Sequence, residues 1–502
     1  MNDKRIRRIV IVGGGTAGWM AAASLAHHFA NTGMSITVVE STAIGTVGVG
    51  EATIPAIRDY LRGLGIDEFE LMRATQATVK LGIEFEDWSH IGKSFFHPFG
   101  LFGAPARDVA FHQYWLKVAQ SGHRCKFAEY SLAAVLAKQN RFTRPHPNPE
   151  SLLSVFDWAL HFDASLFAKY LRTYALKLGV MHLDRKLMHV NLRSGDGFID
   201  SLLLEDGQRL AGDLFIDCTG FRGLLIEGAL QSGYDDWTPW LPCDRALAVP
   251  CESVSPLTPY TRATALEAGW KWRIPLQHRM GNGYVFCSQF STEEAARERL
   301  LGALEGAVLA EPKALRFTAG ARKKIWNKNC IALGLASGFL EPLESTSISL
   351  IETGIEKLRR LFPDKDFNPM LEREFNRTSH LELERIRDFL IVHYRFSRRE
   401  DSEFWRYCRA LPLPDALSHK IELFKTRGFI VRYEWETFLD PSWLAMYTGF
   451  GVLPDVYDPA ADHFDTHELR RILDGMRQSI ARAASAAPTH EEFIARHCAI
   501  AP

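Results

Sequence analysis

Ile9-Val10-Ile11-Val12-Gly13-Gly14-Gly15-Thr16-Ala17-Gly18 is the stretch whose reading decides the fold. Four apolar residues in a row need no polar alternation when a strand is covered on both faces, so Ile9 to Val12 reads as a buried parallel strand. The glycines that follow satisfy G-x-G-x-x-G. Gly13 permits a tight turn, Gly15 lets the backbone approach a pyrophosphate, and Gly18 lets the next helix pack close to the strand. Ala17 to Ala30 is rich in Ala and Leu and reads as that helix, closed by Asn31-Thr32-Gly33. Its N-terminus, around Thr16 and Ala17, offers unpaired N–H groups to phosphates. Ile36 to Val39 is the next strand. It ends at Glu40 and Ser41, about twenty residues past the glycines, where a carboxylate is placed to accept hydrogen bonds from a ribose. The stretch therefore predicts a β-α-β unit that binds a dinucleotide.

Two later apolar runs extend the same sheet. Leu214 to Ile216 ends in Asp217-Cys218-Thr219-Gly220, and Ile331 to Leu333 ends in Gly334. The nucleotide-binding domain is thus discontinuous. The segment from Gly212 to Gly220 resembles the second flavin-contact strand of FAD monooxygenase-like folds. No second G-x-G-x-x-G follows a strand, so no separate nicotinamide domain is evident. Both features favour FAD over NAD. The expected fold class is α/β: an FAD-binding Rossmann-like domain with a mainly helical substrate-binding region. The domain is expected over 1–95 and 157–360, with an inserted β-sheet. The helical region is expected over 96–156 and 361–502, with helical patterns at Leu381 to Leu390 and Leu469 to Ala484.

Composition excludes several classes. The 502 residues are 46% hydrophobic and 24% charged, as in ordinary globular proteins. Net charge is −1, and the short basic clusters at Lys4 to Arg8 and Arg395 to Arg399 read as solvated faces, so no nucleic-acid partner is expected. None of the eight cysteines forms a C-x-x-C pair or fits a zinc template, so no metal is expected and the thiols read as free. No segment has the length and apolarity of a membrane span or of a secretory leader. A soluble, cytoplasmic protein is the expectation.

A second segment gains meaning beside the first. In Trp270-Lys271-Trp272-Arg273-Ile274-Pro275, period-two alternation puts both indoles on one face of a strand. Alone, it reads as an aromatic core strand. Downstream of a flavin-type glycine motif, W-x-W-x-I-P resembles the signature of flavin-dependent halogenases of the tryptophan-halogenase family. Further segments carry the same resemblance: Gly48-Val49-Gly50-Glu51-Ala52-Thr53-Ile54-Pro55, Lys80 in Val79-Lys80-Leu81-Gly82-Ile83, His97-Pro98-Phe99-Gly100, and Leu340-Glu341-Pro342-Leu343-Glu344-Ser345-Thr346.

The resemblance implies an enzyme that uses FAD, delivered already reduced, together with oxygen and chloride or bromide to make hypohalous acid. A separate NAD(P)H-dependent flavin reductase would supply the cofactor. Lys80 is implied as the relay, since burial makes a neutral amine accessible. Taken alone, Lys80 reads as a surface lysine at the end of a helix. Glu344 is implied as the carboxylate that stabilises the cationic arene and takes its proton, with Glu341 as rival. The amides of Thr346 and Ser347 are implied as a halide nest. Ser347 departs from the commoner family pattern, which has glycine there. Gly50, Glu51, Ala52, Leu187, Asp217, Leu335 and Ile348 join the glycine motif as implied cofactor contacts. Trp270, Trp272, Ile274 and Pro275 are implied to separate flavin from substrate. His97 and Phe99 form one implied substrate wall, with Trp443 and Leu444 opposite. Where tryptophan-specific members carry a tyrosine pair, this Trp-Leu pair lacks a phenolic donor for a carboxylate, which favours an indole-like arene over free tryptophan. A homodimer is compatible with the resemblance. Two rival readings share the fold: an FAD-dependent aromatic hydroxylase and a non-catalytic flavin-binding protein.

Overall fold

The computed structural model describes residues 3–44, 50–123, 125–148 and 151–499. The first β-α-β unit forms where the sequence places it: strand Arg8–Val12, helix Thr16–His28, strand Ser35–Glu40. Arg8–Val12 runs parallel to Ser35–Glu40 on one side and to Leu214–Asp217 on the other. The sheet continues outward to Met181–Asp184 at one edge and through Cys330–Ala332 to Trp326–Asn327 at the other. Ile9, Val10, Ile11 and Val12 are all buried, as their unbroken apolar run requires. The helix Thr16–His28 buries a continuous run from Gly18 to Ala26. Its Ala-rich surface lets it pack closely against helices Ala164–Lys177 and Ser347–Arg360.

The chain forms two compact units. The first comprises 1–76, 162–238 and 317–384; the second comprises 77–161, 239–316 and 385–502. The second is built on a seven-stranded sheet in the order Lys313–Arg316, Arg245–Cys251, Met280–Phe286, Gly269–Pro275, Thr261–Leu266, Gly82–Glu86, Ser94–Pro98. Gly269–Pro275 is the middle strand, and all seven of its residues are buried. The rings of Trp270 and Trp272 lie 6.0 Å apart, on one face as alternation predicts. Trp272 pairs with Gly283 on the next strand, where a Cβ would stand 2.0 Å from the indole, so the glycine makes room for the ring.

This division differs from the sequence expectation. Residues 77–95, 157–161 and 239–316 belong with the second unit, and 361–384 with the first. The reason is hydrogen bonding across distant segments. Gly82–Glu86 pairs with Thr261–Leu266 in register Thr261↔Ile83 and with Ser94–Pro98 in register Ile83↔His97. A ladder that joins these strands keeps them in one unit, and no local periodicity reports it. The helical pattern read at Leu381 to Leu390 is part of a longer helix, Pro369–Arg395. That at Leu469 to Ala484 is the core of helix Thr466–Ala486. Among the described residues, no helix is long and apolar enough to cross a membrane, and no group of His, Cys, Asp and Glu is arranged to hold a metal ion.

Candidate active site

In the first unit, the glycines divide their work as the motif predicts. Gly13 has φ +111°, and a Cβ there would stand 2.2 Å from the Cys218 carbonyl oxygen. A Cβ at Gly18 would stand 1.8 Å from the Gly13 carbonyl oxygen, whereas one at Gly15 would meet nothing within 4 Å. The outer glycines therefore close the turn, and the middle one leaves a cradle open to a ligand. The helix that follows has no side-chain cap and no acid in its first turn, so its N-terminal field is left for an anion. The Glu40 carboxylate lies over Gly14, where a Cβ would collide with it, and its Oε1 is 2.8 Å from His182 Nε2. An acid at the strand end, beside an open glycine turn, fits a dinucleotide such as FAD.

The other implied cofactor residues are less uniform. Asp217 is fully buried, and its carboxylate accepts from Thr219 N, Thr219 Oγ1, Leu225 N and Ile226 N at 2.7–2.9 Å. Its side chain thus shapes the loop that follows the strand. The short turn Gly334–Ala336, which carries Leu335, abuts the start of the first helix: a Cβ at Gly334 would sit 2.8 Å from that of Ala17. Ile348 is buried in the first turn of Ser347–Arg360. Leu187 begins a separate three-stranded sheet. Gly50, Glu51 and Ala52 form a short strand, and burial pushes the Glu51 carboxyl up to about 7. Gly48 and Val49 lie outside the described residues.

The E-P-L-E-S-T segment also lies in the first unit. Glu341 and Glu344 are both 1% exposed, so burial does not separate the rivals. Ser345 is left-handed at φ +61° and Thr346 right-handed at φ −88°. Such a change of hand turns successive backbone N–H groups to one side, the geometry of an anion nest. No side chain caps the helix Ser347–Arg360 that begins there, so the amides of Thr346 and Ser347 stand at its positive end.

In the second unit, Lys80 is wholly buried on strand Thr78–Lys80, opposite Ala159. This corrects its reading in isolation as a surface residue at a helix end: the surrounding ladder, which the local sequence does not display, takes it inside. Lys80 Nζ stands 5.0 Å from the centre of the Phe99 ring. Phe99 N donates to Leu81 O at 2.8 Å, and its carbonyl accepts from Asp157 N at 3.0 Å, which fixes the ring beside the lysine. Gly82 allows the close approach: a Cβ there would stand 2.2 Å from the His97 carbonyl oxygen. Lys80 and Phe99 are thus brought together, with His97 on the neighbouring strand.

Trp443 joins them indirectly. The His97 ring lies 5.8 Å from that of Phe389 and 6.2 Å from that of Phe438, and these two stack at 4.0 Å. Trp443 meets Phe389 edge-on at 5.0 Å and donates its Nε1 proton to Phe438 O at 3.1 Å. Phe389 and Phe438, packed against His97, were not singled out by the sequence, because Phe389-Leu390-Ile391 reads as an ordinary helix core. Behind Trp443, Lys420 Nζ lies 4.1 Å from the indole centre and pairs with Glu436. Burial draws Lys420 below the usual lysine range. Leu444 is also buried. Trp270 sits in an aromatic cluster with Trp88, which in turn touches Trp405 and Tyr394.

An open glycine turn and an uncapped helix start in one unit, with a buried lysine beside an aromatic ring in the other, fit the class of flavin-dependent halogenases. The comparisons agree. The tryptophan halogenase family profile matches residues 8–466. The solved structure of BrvH, a flavin-dependent halogenase from Brevundimonas sp. BAL3, is 52% identical, covering 98% of this chain and 99% of its own at TM-score 0.96. Xcc4156, a flavin-dependent halogenase from Xanthomonas campestris, is 44% identical, covering 99% of each chain at TM-score 0.95. The 7-chloro-L-tryptophan 6-halogenase KtzR of Kutzneria sp. (strain 744) is 36% identical over 97% of this chain and 99% of its own. The chain belongs to the tryptophan halogenase family and is an enzyme of that class.

Proposed function

We propose that the protein attaches chlorine or bromine to an indole-type arene by way of hypohalous acid relayed through Lys80. The observation that carries this is a fully buried lysine amine 5.0 Å from the Phe99 ring. Gly13, Gly15, Gly18 and Glu40 would hold FAD. When bound in its reduced form, that cofactor supplies, with oxygen, the oxidising power that takes halide to hypohalous acid. The amides of Thr346 and Ser347 would hold the halide. Lys80 either hydrogen-bonds the hypohalous acid or takes up its halogen on nitrogen with loss of water. The arene then takes the halogen from that site. Glu344 stabilises the cationic ring and accepts its proton. The net exchange is one C–H and one hypohalous acid for one C–halogen and one water.

The charge at the aromatic wall favours a neutral arene. Lys420 is paired with Glu436, and Arg385 Nη1 lies 3.7 Å from Asp388 Oδ2, so the cations that share a cavity lining with Trp443 already have carboxylate partners. Free indole or a larger indole therefore suits the site better than free tryptophan. The absence of a second glycine motif supports a separate flavin reductase as electron source.

The test is an arene panel with bromide and chloride in competition, a flavin reductase supplying reduced FAD, and product masses as readout. Halogenated indoles are expected. Lys80→Ala should lower their formation by on the order of 100-fold or more while FAD still binds. Hydroxylated product that ignores halide would establish the hydroxylase instead, and no turnover across the panel would establish a flavin-binding protein.

A further inference from the structure

We propose that His161, as a neutral imidazole, is a positioning residue for Lys80, holding the lysine strand to the carbonyl of Pro275 through the Thr78 hydroxyl. The inference rests on the reading of Lys80 as the halogen relay.

The directions of the hydrogen bonds follow from what each group is able to do. Thr78 Oγ1 lies 2.6 Å from Pro275 O, which only accepts, so the hydroxyl proton points there. Thr78 Oγ1 is then the acceptor toward His161 Nδ1, 3.0 Å away, which places the imidazole proton on Nδ1. His161 Nε2 is left as an acceptor, and Thr261 Oγ1 donates to it at 2.9 Å. Thr78 and His161 are fully buried and Thr261 is 5% exposed, so water does not replace any of these bonds. An imidazolium has a proton on both nitrogens, so Thr261 Oγ1 would have to become the acceptor and send its own proton elsewhere. Burial first, and then the neighbouring titratable groups Lys80, His490 and Arg273, hold His161 well below the usual histidine range.

The chain of bonds bears on Lys80 through strand geometry. Thr78 and Lys80 are two apart on one strand and project to the same face. Anchoring the Thr78 hydroxyl to the end of the W-x-W-x-I-P strand therefore fixes the roll of the face that presents the amine. The residue between them is held as well. His490, at the start of helix His490–His497, accepts from Val79 N with Nε2 at 3.2 Å and donates from Nδ1 to Leu257 O at 2.9 Å. Two buried neutral histidines thus grip the two residues that precede the relay. Neither was singled out by sequence.

The experiment separates delivery of the halogen from its generation. Full-length enzyme is given indole, bromide, reductase-supplied FADH2 and a soluble β-diketone that captures escaping hypobromous acid. Brominated indole is compared with brominated trap. Thr78→Val is close to isosteric and removes the hydroxyl; His161→Phe removes both ring nitrogens. Each is expected to shift product from indole to trap by about 10-fold or more, as misplacement of a catalytic group does, with the sum of the two nearly unchanged. Thr78→Ser, and His161→Asn with its amide in the place of Nδ1, are expected to return the split toward wild type. A fall in total product at constant split would overturn the proposal and leave a purely structural role, as would no change in any variant. If His161→Phe does not fold, the Thr78 pair decides alone. Failure of the underlying relay reading looks different: wild type makes no brominated indole, or Lys80→Ala keeps the wild-type split.

Discussion

Burial turns Glu51 into an acid that is half-protonated near neutrality, pushed from the usual 4.5 to about 7. Between those values the native state binds the proton more tightly than the unfolded chain does. The Glu51 contribution to stability therefore falls as pH rises from about 4.5 to about 7, and is constant above that. Glu51→Gln should raise Tm above pH 7, with the gain shrinking toward zero near pH 4, as read by thermal melts across pH. Glu344→Gln keeps shape and removes the base. It should lower kcat by about 100-fold with little change in KM, and an equal effect of Glu341→Gln would reassign the role. Ser347→Gly should change the chloride-to-bromide product ratio in competition, since it deletes the only side chain at the second amide of the nest. Lys80 marks the limit of reading at this scale. The residue was found through its surrounding motif, whereas its complete burial follows from partners at Ala159 and Phe99 that no neighbouring residue announces.

Elements depend on close approaches that single substitutions test. Gly283 faces the Trp272 indole across the central ladder, and an added Cβ would also stand 2.5 Å from Leu247 O. Gly283→Ala should cost about 1–3 kcal/mol of stability, measured by denaturant unfolding, because neither a strand carbonyl nor a packed indole gives way cheaply. Helices Ser347–Arg360 and Pro369–Arg395 are joined by a buried pair, Lys357 Nζ to Glu382 Oε2 at 2.6 Å, with side chains 5% and 7% exposed. Lys357→Met should cost about 3–5 kcal/mol by stranding the carboxylate, and adding Glu382→Leu should recover most of it. The elements themselves were largely legible. The period-two indoles, the Ala-rich helix and the glycine turn express local rules, and all appear within a residue or two of where those rules put them.

At the scale of the molecule, the implied residues sort into two groups. Those for cofactor and halide fall in the first unit together with Glu344, and Lys80 with the implied substrate wall falls in the second. Variants should sort the same way. Gly18→Val should abolish FAD binding, whereas Lys80→Ala and Phe99→Ala should leave FAD affinity within about twofold of wild type, by fluorescence titration. By itself the sequence determined the nucleotide-binding β-α-β unit, its discontinuity and the family, because a buried strand, a glycine turn and a helix start are each written in neighbouring residues. Only the tertiary structure decided the unit boundaries, the commitment of Asp217 to its own loop, and the placing of Phe389 and Phe438 against His97. It alone revealed the hold of His161 and His490 on the lysine strand. Each of these depends on hydrogen bonds or ring contacts between residues tens to hundreds of positions apart, and long-range pairing leaves no period or spacing to read.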